Sequence, residues 1–288
     1  MRRMTVRRLK VPGFLVALIV LSMSQVHAQE SSPQPTLHTY KTIESVSLKA
    51  HVYSPPGAKG PRAAVVMFHG GGWVAGTPQW TPAREYAERG VVAIAVEYRL
   101  SNRKTVTPLD AVEDTRDAIR WVRKNSEMLG IDPRRVAALG NSAGGQLAAF
   151  AAVSGDADSK PNALILWSPA VSLGNDPYFK SLLGARAQAS DLSPDEHVRS
   201  GIAPAIIISG AEDVVTPDAG ARRFCDRVKE AGGRCEMHTY PGVGHLLTRK
   251  LDRQAQLRGD FDFDPKTTAD AESKVWKFLE ELGYLTRK

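Results

Sequence analysis

The sequence predicts an α/β fold: one mostly parallel central sheet with helices on both faces. Three observations predict it. From residue 62 onward, apolar runs alternate with amphipathic stretches, the pattern of strand and helix in turn. The apolar runs carry no polar alternation, as expected of strands buried on both faces. Glycines stand where the runs and amphipathic stretches end. The chain has 288 residues, 42% of them hydrophobic and 24% charged, which suits one large domain.

The first segment reads differently. "MRRMTVRRLK" is basic without an acid, "FLVALIVLSM" is apolar, and Val26 and Ala28 are small residues at the spacing a signal peptidase reads. Residues 1–28 are expected to be a secretory signal peptide. The alternative, an uncleaved membrane anchor, asks for about 20 apolar residues, and this run is shorter. Five basic residues, Arg2, Arg3, Arg7, Arg8 and Lys10, lie in this segment, so the formal charge of +7 falls to +2 in the remainder. With charges of both signs mixed along it, that remainder shows no nucleic-acid footprint. Cleavage would leave no stable membrane anchor and place the protein outside the cytoplasm, periplasmic or secreted.

Residues 29–40 read as a polar linker, and 41–288 as the domain. "SVSLKAHVYSP" alternates like an antiparallel edge strand. "RAAVVMFHG" is a buried strand ending in glycines. "PQWTPAREYAERG" is helical and stops at Gly90, and "VVAIAVEYRL" is again a buried strand. "PLDAVEDTRDAIRWVRKNSEML" is an amphipathic helix with Pro108 at its start. "RRVAALG", "NALILWSP", "APAIIISG" and "RCEMHTYPG" are strands. "AGGQLAAFAAV", "PDAGARRFCDRVKEAGG" and "TADAESKVWKFLEELG" are helices. Two long stretches, 172–198 and 246–266, break the rhythm. Long loops in compact domains are often functional, so both are expected at the mouth of a pocket, with about 172–200 acting as a small cap.

The chemistry gathers at "GNSAG", residues 140–144. The pattern G-x-S-x-G between a strand and a helix puts Ser142 on a sharp turn, its hydroxyl exposed beside the free N–H groups of a helix start. A capping serine in a tight turn would give the same pentapeptide. "HGGG", His69–Gly72, after a buried strand adds an independent signal, because glycine-rich backbone can aim N–H groups at an oxyanion. His69 is expected to brace that loop. A serine nucleophile needs a base, and the base an acid. In the order Ser, acid, His, Asp213 follows one strand and His245 the next. Glu212 is the alternative acid. His238 lies within a strand, and His38 and His51 precede the core. Cys225 and Cys235 either form a disulfide or remain buried thiols. Two cysteines without a histidine cluster argue against zinc, and no metal or cofactor is expected.

"HGGGW" at 69–73, "YRLS" at 98–101, "GNSAGG" at 140–145, "GAEDVVTP" at 210–217 and "GVGH" at 242–245 together resemble the α/β-hydrolase superfamily. Within it, the chain is similar to bacterial carboxylesterases of the hormone-sensitive-lipase type, in a branch that includes acetyl and feruloyl esterases. The resemblance implies Ser142, His245 and Asp213 as a catalytic triad. It implies the backbone amides of Gly71, Gly72 and Ala143 as oxyanion donors. His69, Trp73, Asn141 and His197 are the candidate substrate-contacting residues. Asn141 and the "GHLL" at the base depart from common versions of the motifs. The implied reaction is hydrolysis of short acyl esters, acetyl above all, on small molecules or carbohydrate. Lactonase, thioesterase or peptidase chemistry could use the same groups, and a non-catalytic binding protein on this scaffold is the reading from another class.

Overall fold

The structure, a computed structural model, describes residues 33–57, 60–256 and 261–285. The segment read as a signal peptide lies outside the described residues. In chain order the elements are β1 (Thr36–Ile43), β2 (Val46–Tyr53), β3 (Arg62–Phe68), α1 (Ala83–Glu88), β4 (Val92–Val96), α2 (Pro108–Lys124), α3 (Ser126–Leu129), β5 (Ile131–Asn141), α4 (Ala143–Ser154), β6 (Ala163–Trp167), α5 (Pro177–Leu183), β7 (Ala205–Gly210), α6 (Asp218–Glu230), β8 (Cys235–Tyr240) and α7 (Pro265–Glu281).

The strands form an eight-stranded sheet in the order β1-β2-β4-β3-β5-β6-β7-β8. β1 pairs antiparallel with β2, and β2 with β4; every other pairing is parallel. Period-two alternation splits each buried strand between two cores. Val66 and Phe68 of β3 join Ile94, Leu147 and Phe224 on the face covered by α2, α4 and α6. Val65 and Met67 join Tyr86, Ile165 and Phe278 on the face covered by α1 and α7. A strand buried on both faces has no polar side to show, which is why its sequence reads as a continuous apolar run.

Three expectations need correction. The sheet begins at Thr36, inside the stretch read as linker, and the true edge is β1 rather than β2. "TLHTYKTI" is partly exposed along both faces, so it shows no apolar side. It is a polar edge strand with a register shift between Thr39 and Lys41, features that discourage pairing with another chain. The long amphipathic helix is also interrupted. The Asn125 side-chain amide donates to the Trp121 carbonyl at 2.8 Å, competing with the helical ladder, and α3 is a separate turn. The cap region about 172–200 carries α5, which buries Phe179, Leu182 and Leu183.

A charged network ties these parts together. Arg99, after β4, reaches both carboxylate oxygens of the fully buried Asp114 on α2, at 2.8 and 2.9 Å. Lys41 of β1 reaches Asp114 as well, at 2.7 Å. Asp110, one turn earlier, accepts from Arg186 of the cap segment at 2.6 Å. Cys225 on α6 and Cys235 at the start of β8 form a disulfide, with Cα atoms 5.4 Å apart. The two residues are 10 apart in sequence, so the bridge closes a short loop. Loop entropy gives such a bridge a worth of about 3 kcal/mol. Cys225→Ser/Cys235→Ser is therefore expected to lower unfolding free energy by up to about 3 kcal/mol in urea titration, with α6 and β8 still paired.

Candidate active site

Ser142 is the single residue between the end of β5 and the start of α4. Its backbone sits at φ 53°, ψ −117°, a region that side chains other than glycine rarely occupy. What holds it there is close approach of backbone to backbone. A β-carbon at Gly140 would strike the Gly144 carbonyl, and one at Gly144 would strike the carbonyl oxygens of Phe68 and His69. Only glycine lets the start of α4 press against the end of β3. The same approach sets Ser142 beside the glycine loop: a β-carbon on Gly70 would lie 3.4 Å from that of Ser142.

The glycine loop is built to expose its amides. Gly71 and Gly72 have φ of 117° and 59°, and Trp73 follows at 61°. Val74 and Ala75 close the turn by donating to the Gly71 carbonyl at 3.1 and 3.0 Å. Among the described residues the N–H groups of Gly71, Gly72 and Ala143 meet no protein acceptor. Gly71 and Gly72 line the cavity, and the Ala143 amide is the first of α4.

His69 lies beneath the loop, not in the cavity wall, so the structure does not give it the substrate contact expected from sequence. Its Nδ1 donates to the Gly70 carbonyl at 2.7 Å, and its ring stacks on Tyr98 at 4.3 Å. The Tyr98 hydroxyl donates to the His69 carbonyl at 2.8 Å. Burial pushes the His69 pKa down to about 4, so the ring is neutral at pH 7. Trp73 and Asn141 do line the cavity. The Trp73 indole N–H donates to Gln146 Oε1 at 3.0 Å, and its ring packs on Phe179 of α5. His197 faces away: its Nε2 meets the Ser190 carbonyl at 2.9 Å and its ring meets Phe150. The cap folds back on α4 there, which turns that side chain from the cavity.

The candidate acid and base, Asp213 and His245, stand on loops after β7 and β8. His245 Nδ1 donates to Asp213 Oδ2 at 2.9 Å, and both residues are buried. Asp213 Oδ1 accepts from the backbone of Val215 and Thr216 at 2.9 and 2.8 Å. The Thr216 hydroxyl is 2.9 Å from Oδ2. Burial pushes the Asp213 pKa up, but the His245 bond and charge, with the Thr216 bonds, outweigh it and hold the carboxyl below its usual range. Glu212 is exposed and makes no such bond. Among the described histidines, only His245 lines the cavity.

Ser142 and His245 open onto one cavity of about 1220 Å³. The Ser142 hydroxyl makes no hydrogen bond to the ring among the described residues. As expected from sequence, the cap loop contributes to the mouth, through Leu173 and Tyr178, and the 246–266 loop through Leu246, Gln254, Phe261 and Phe263.

Sequence reasoning missed Gln254. Its Oε1 accepts from the backbone N–H of Val214 and His245, at 3.1 and 3.0 Å, and its Nε2 donates to the carbonyls of Glu212 and Leu251, both at 3.0 Å. One buried amide thus fastens the acid loop to the base loop. Ser168 adds a second tie, accepting from Leu246 N–H at 3.0 Å. No motif marks these residues, because their partners are backbone groups that only the fold assembles.

The His69 environment sets a pH signature. The unfolded chain protonates this ring below about pH 6.5 and the folded chain only near 4, so stability falls as pH drops through that window. The loss is on the order of 3 kcal/mol at most. Urea unfolding at pH 7 and pH 4.5 should show it, and His69→Gln should lessen the difference.

The BD-FAE family model matches residues 50–227. The probable isoprenylcysteine alpha-carbonyl methylesterase ICMEL1 of Arabidopsis thaliana is 25% identical over 73% of this chain and 50% of its own length. An acetylxylan esterase of Xylanibacter ruminicola is 27% identical over 63% of this chain and 40% of its own. The chain thus spans about half the length of the curated relatives it matches. Among solved structures, the thermophilic esterase Est2 of Thermogutta terrifontis is 32% identical, with a TM-score of 0.77, over 90% of this chain and 96% of that one. It is also known with propionate and with butyrate bound. On the family match and the shared sheet, the chain belongs to the BD-FAE family and has the α/β-hydrolase fold of the esterases it resembles.

Proposed function

We propose that the chain is a carboxylic ester hydrolase acting through Ser142, His245 and Asp213. In this reading His245 takes the Ser142 proton as Oγ bonds to the ester carbonyl carbon, and the tetrahedral oxygen receives the amides of Gly71, Gly72 and Ala143. The C–O bond to the alcohol then breaks, and the alcohol leaves with that proton. Water, activated by His245, adds to the acyl-enzyme and releases the acid with Ser142 restored. Asp213 keeps the imidazole in the tautomer that leaves Nε2 free to accept. The serine–imidazole hydrogen bond forms in the complex with substrate, since such bonds often tighten only then. The observation that carries the reading is the buried 2.9 Å His245–Asp213 bond opening onto the same cavity as a serine held at positive φ beside unengaged amides.

The acyl group in this proposal is short, acetyl foremost, and the alcohol a small molecule or a carbohydrate. Propionate and butyrate bound to the Thermogutta esterase, and the acetylxylan esterase among the relatives, support it. We place the reaction outside the cytoplasm, periplasmic or secreted. The Cys225–Cys235 bridge supports this, because disulfides persist in oxidising compartments.

Two variants test the assignment. Ser142→Ala should lower kcat on p-nitrophenyl acetate by on the order of 10⁶ and abolish labelling by a fluorophosphonate. Turnover near the parent rate would refute the nucleophile. Gln254→Ala should lower kcat by about tenfold to hundredfold by loosening the acid and base loops, with KM for the same ester changed less than threefold. A rise in KM alone would show that Gln254 binds substrate instead of positioning His245.

A further inference from the structure

One hydroxyl beside the Asp213–His245 pair has more neighbours than it can serve at once. Thr216 stands between Asp213 and the start of α6. Its Oγ1 is 2.9 Å from Asp213 Oδ2, 2.9 Å from the Ser168 carbonyl and 3.1 Å from His245 Nδ1. The carboxylate and the carbonyl can only accept, and Nδ1 holds the proton that it donates to Asp213. A hydroxyl has one proton to give and lone pairs to receive another. It therefore serves the carboxylate or the carbonyl, not both.

Each choice leaves a different group unmet. Donating to Oδ2 makes a charge-assisted bond, about twice as strong as a neutral one. It leaves the Ser168 carbonyl bare. Ser168 is 1% exposed, and among the described residues no other donor reaches that carbonyl. A buried acceptor without a donor carries its full desolvation cost. Donating to Ser168 removes that cost. Asp213 tolerates the loss, because Oδ1 already accepts from the amides of Val215 and Thr216, and Oδ2 from Nδ1. The Thr216 oxygen then presents lone pairs to the Nδ1 proton. Both acceptors lie within reach of one oxygen, so rotation about the Cβ–Oγ1 bond is enough and no heavy atom has to move.

The charge on the imidazole decides between the two. Beside a neutral ring, the carboxylate charge draws the hydroxyl proton. An imidazolium binds Oδ2 more strongly, repels a second proton at that oxygen and attracts a lone pair. A contact that improves only as charge develops lowers the barrier instead of merely tightening binding.

We propose that Thr216 is a positioning residue whose hydroxyl turns from Asp213 Oδ2 to the Ser168 carbonyl as the imidazolium forms, its oxygen then sharing the Nδ1–H bond with Asp213. No covalent bond changes in this step: the hydroxyl keeps its proton, and the proton from Ser142 sits on Nε2. The role rests on the esterase reading of Ser142 and His245.

The test uses Thr216→Val, which removes the hydroxyl, and Thr216→Ser, which keeps it. On p-nitrophenyl acetate, Thr216→Val should lower kcat about tenfold with KM changed less than twofold. Inhibition by a phenyl trifluoromethyl ketone, whose serine adduct holds the imidazolium, should weaken by the same factor. Thr216→Ser should stay within about threefold of the parent on both measures. A kcat within twofold of the parent in Thr216→Val overturns the role. So does an equal loss in Thr216→Ser, which would assign the effect to packing, or a rise in KM alone, which would make Thr216 a substrate contact in the cavity it lines. Proton NMR of the ligand-free protein separates this role from the reading beneath it. The His245 Nδ1–H resonance, identified by its loss in His245→Gln, should move downfield in Thr216→Val, because a competing donor has left Oδ2. An unmoved resonance in a protein that hydrolyses the ester removes the Thr216 role alone. A parent that hydrolyses no ester while the resonance still moves removes the esterase reading, and the turn of the hydroxyl with it, and leaves only the resting contact.

Discussion

The structure depends on one close approach: the start of α4 against the end of β3. Gly144 lies so near the carbonyls of Phe68 and His69 that no β-carbon fits between them. That approach decides where two separate stretches meet. It holds Ser142 at an unfavourable φ, and it brings the 69–76 loop, which continues from β3, alongside that serine. The strain is tolerated because both flanking elements are anchored. β5 is paired on both sides within the sheet, and α4 is buried along most of its length.

The remaining parts of the site hang from the same sheet by ties of a different kind. The glycine loop is set by its own turn and by a neutral, stacked histidine beneath it. The loops that carry Asp213 and His245 follow adjacent parallel strands, β7 and β8, so their spacing is given by the ladder. The ladder cannot fix the orientation of a loop several residues beyond a strand end. Gln254, Thr216 and Ser168 supply that orientation through bonds to backbone and to Asp213.

Much of this was legible in the sequence, for physical reasons. Strands buried on both faces leave continuous apolar runs, so β3 to β7 were readable. Close approach demands glycine, so the corner at Ser142 and the loop at 69–72 announced themselves. Asp213 and His245 were legible as candidates because functional side chains gather after strand ends, and the structure brings the two within 2.9 Å. What escaped notice lacks such a signal. β1 has two half-open faces and therefore no apolar stripe. Asn125 breaks a helix through a side-chain bond that periodicity ignores. Gln254 is one polar residue in a polar loop, and its importance arises only from backbone groups brought to it across the fold. His69 was a substrate-contact candidate from its place in the glycine motif and His197 from its place in the cap, and neither place says which way a ring turns.

The two segments that frame the mouth are not equally free to change. Among the described residues no hydrogen bond joins the cap to Ser142, Asp213 or His245; it meets the glycine loop through Tyr178 on the Gly72 carbonyl and Phe179 on the Trp73 ring, and α4 through the Leu192 carbonyl on Gln146. The segment from 246 to 266 both borders the opening and, through Gln254, clasps the two loops that carry Asp213 and His245. Selection for a new substrate could remodel the first at little risk to turnover, whereas nearly any insertion in the second would disturb reactivity and selectivity together. Divergence among homologues should therefore accumulate on the cap side, leaving the opposite lip comparatively static.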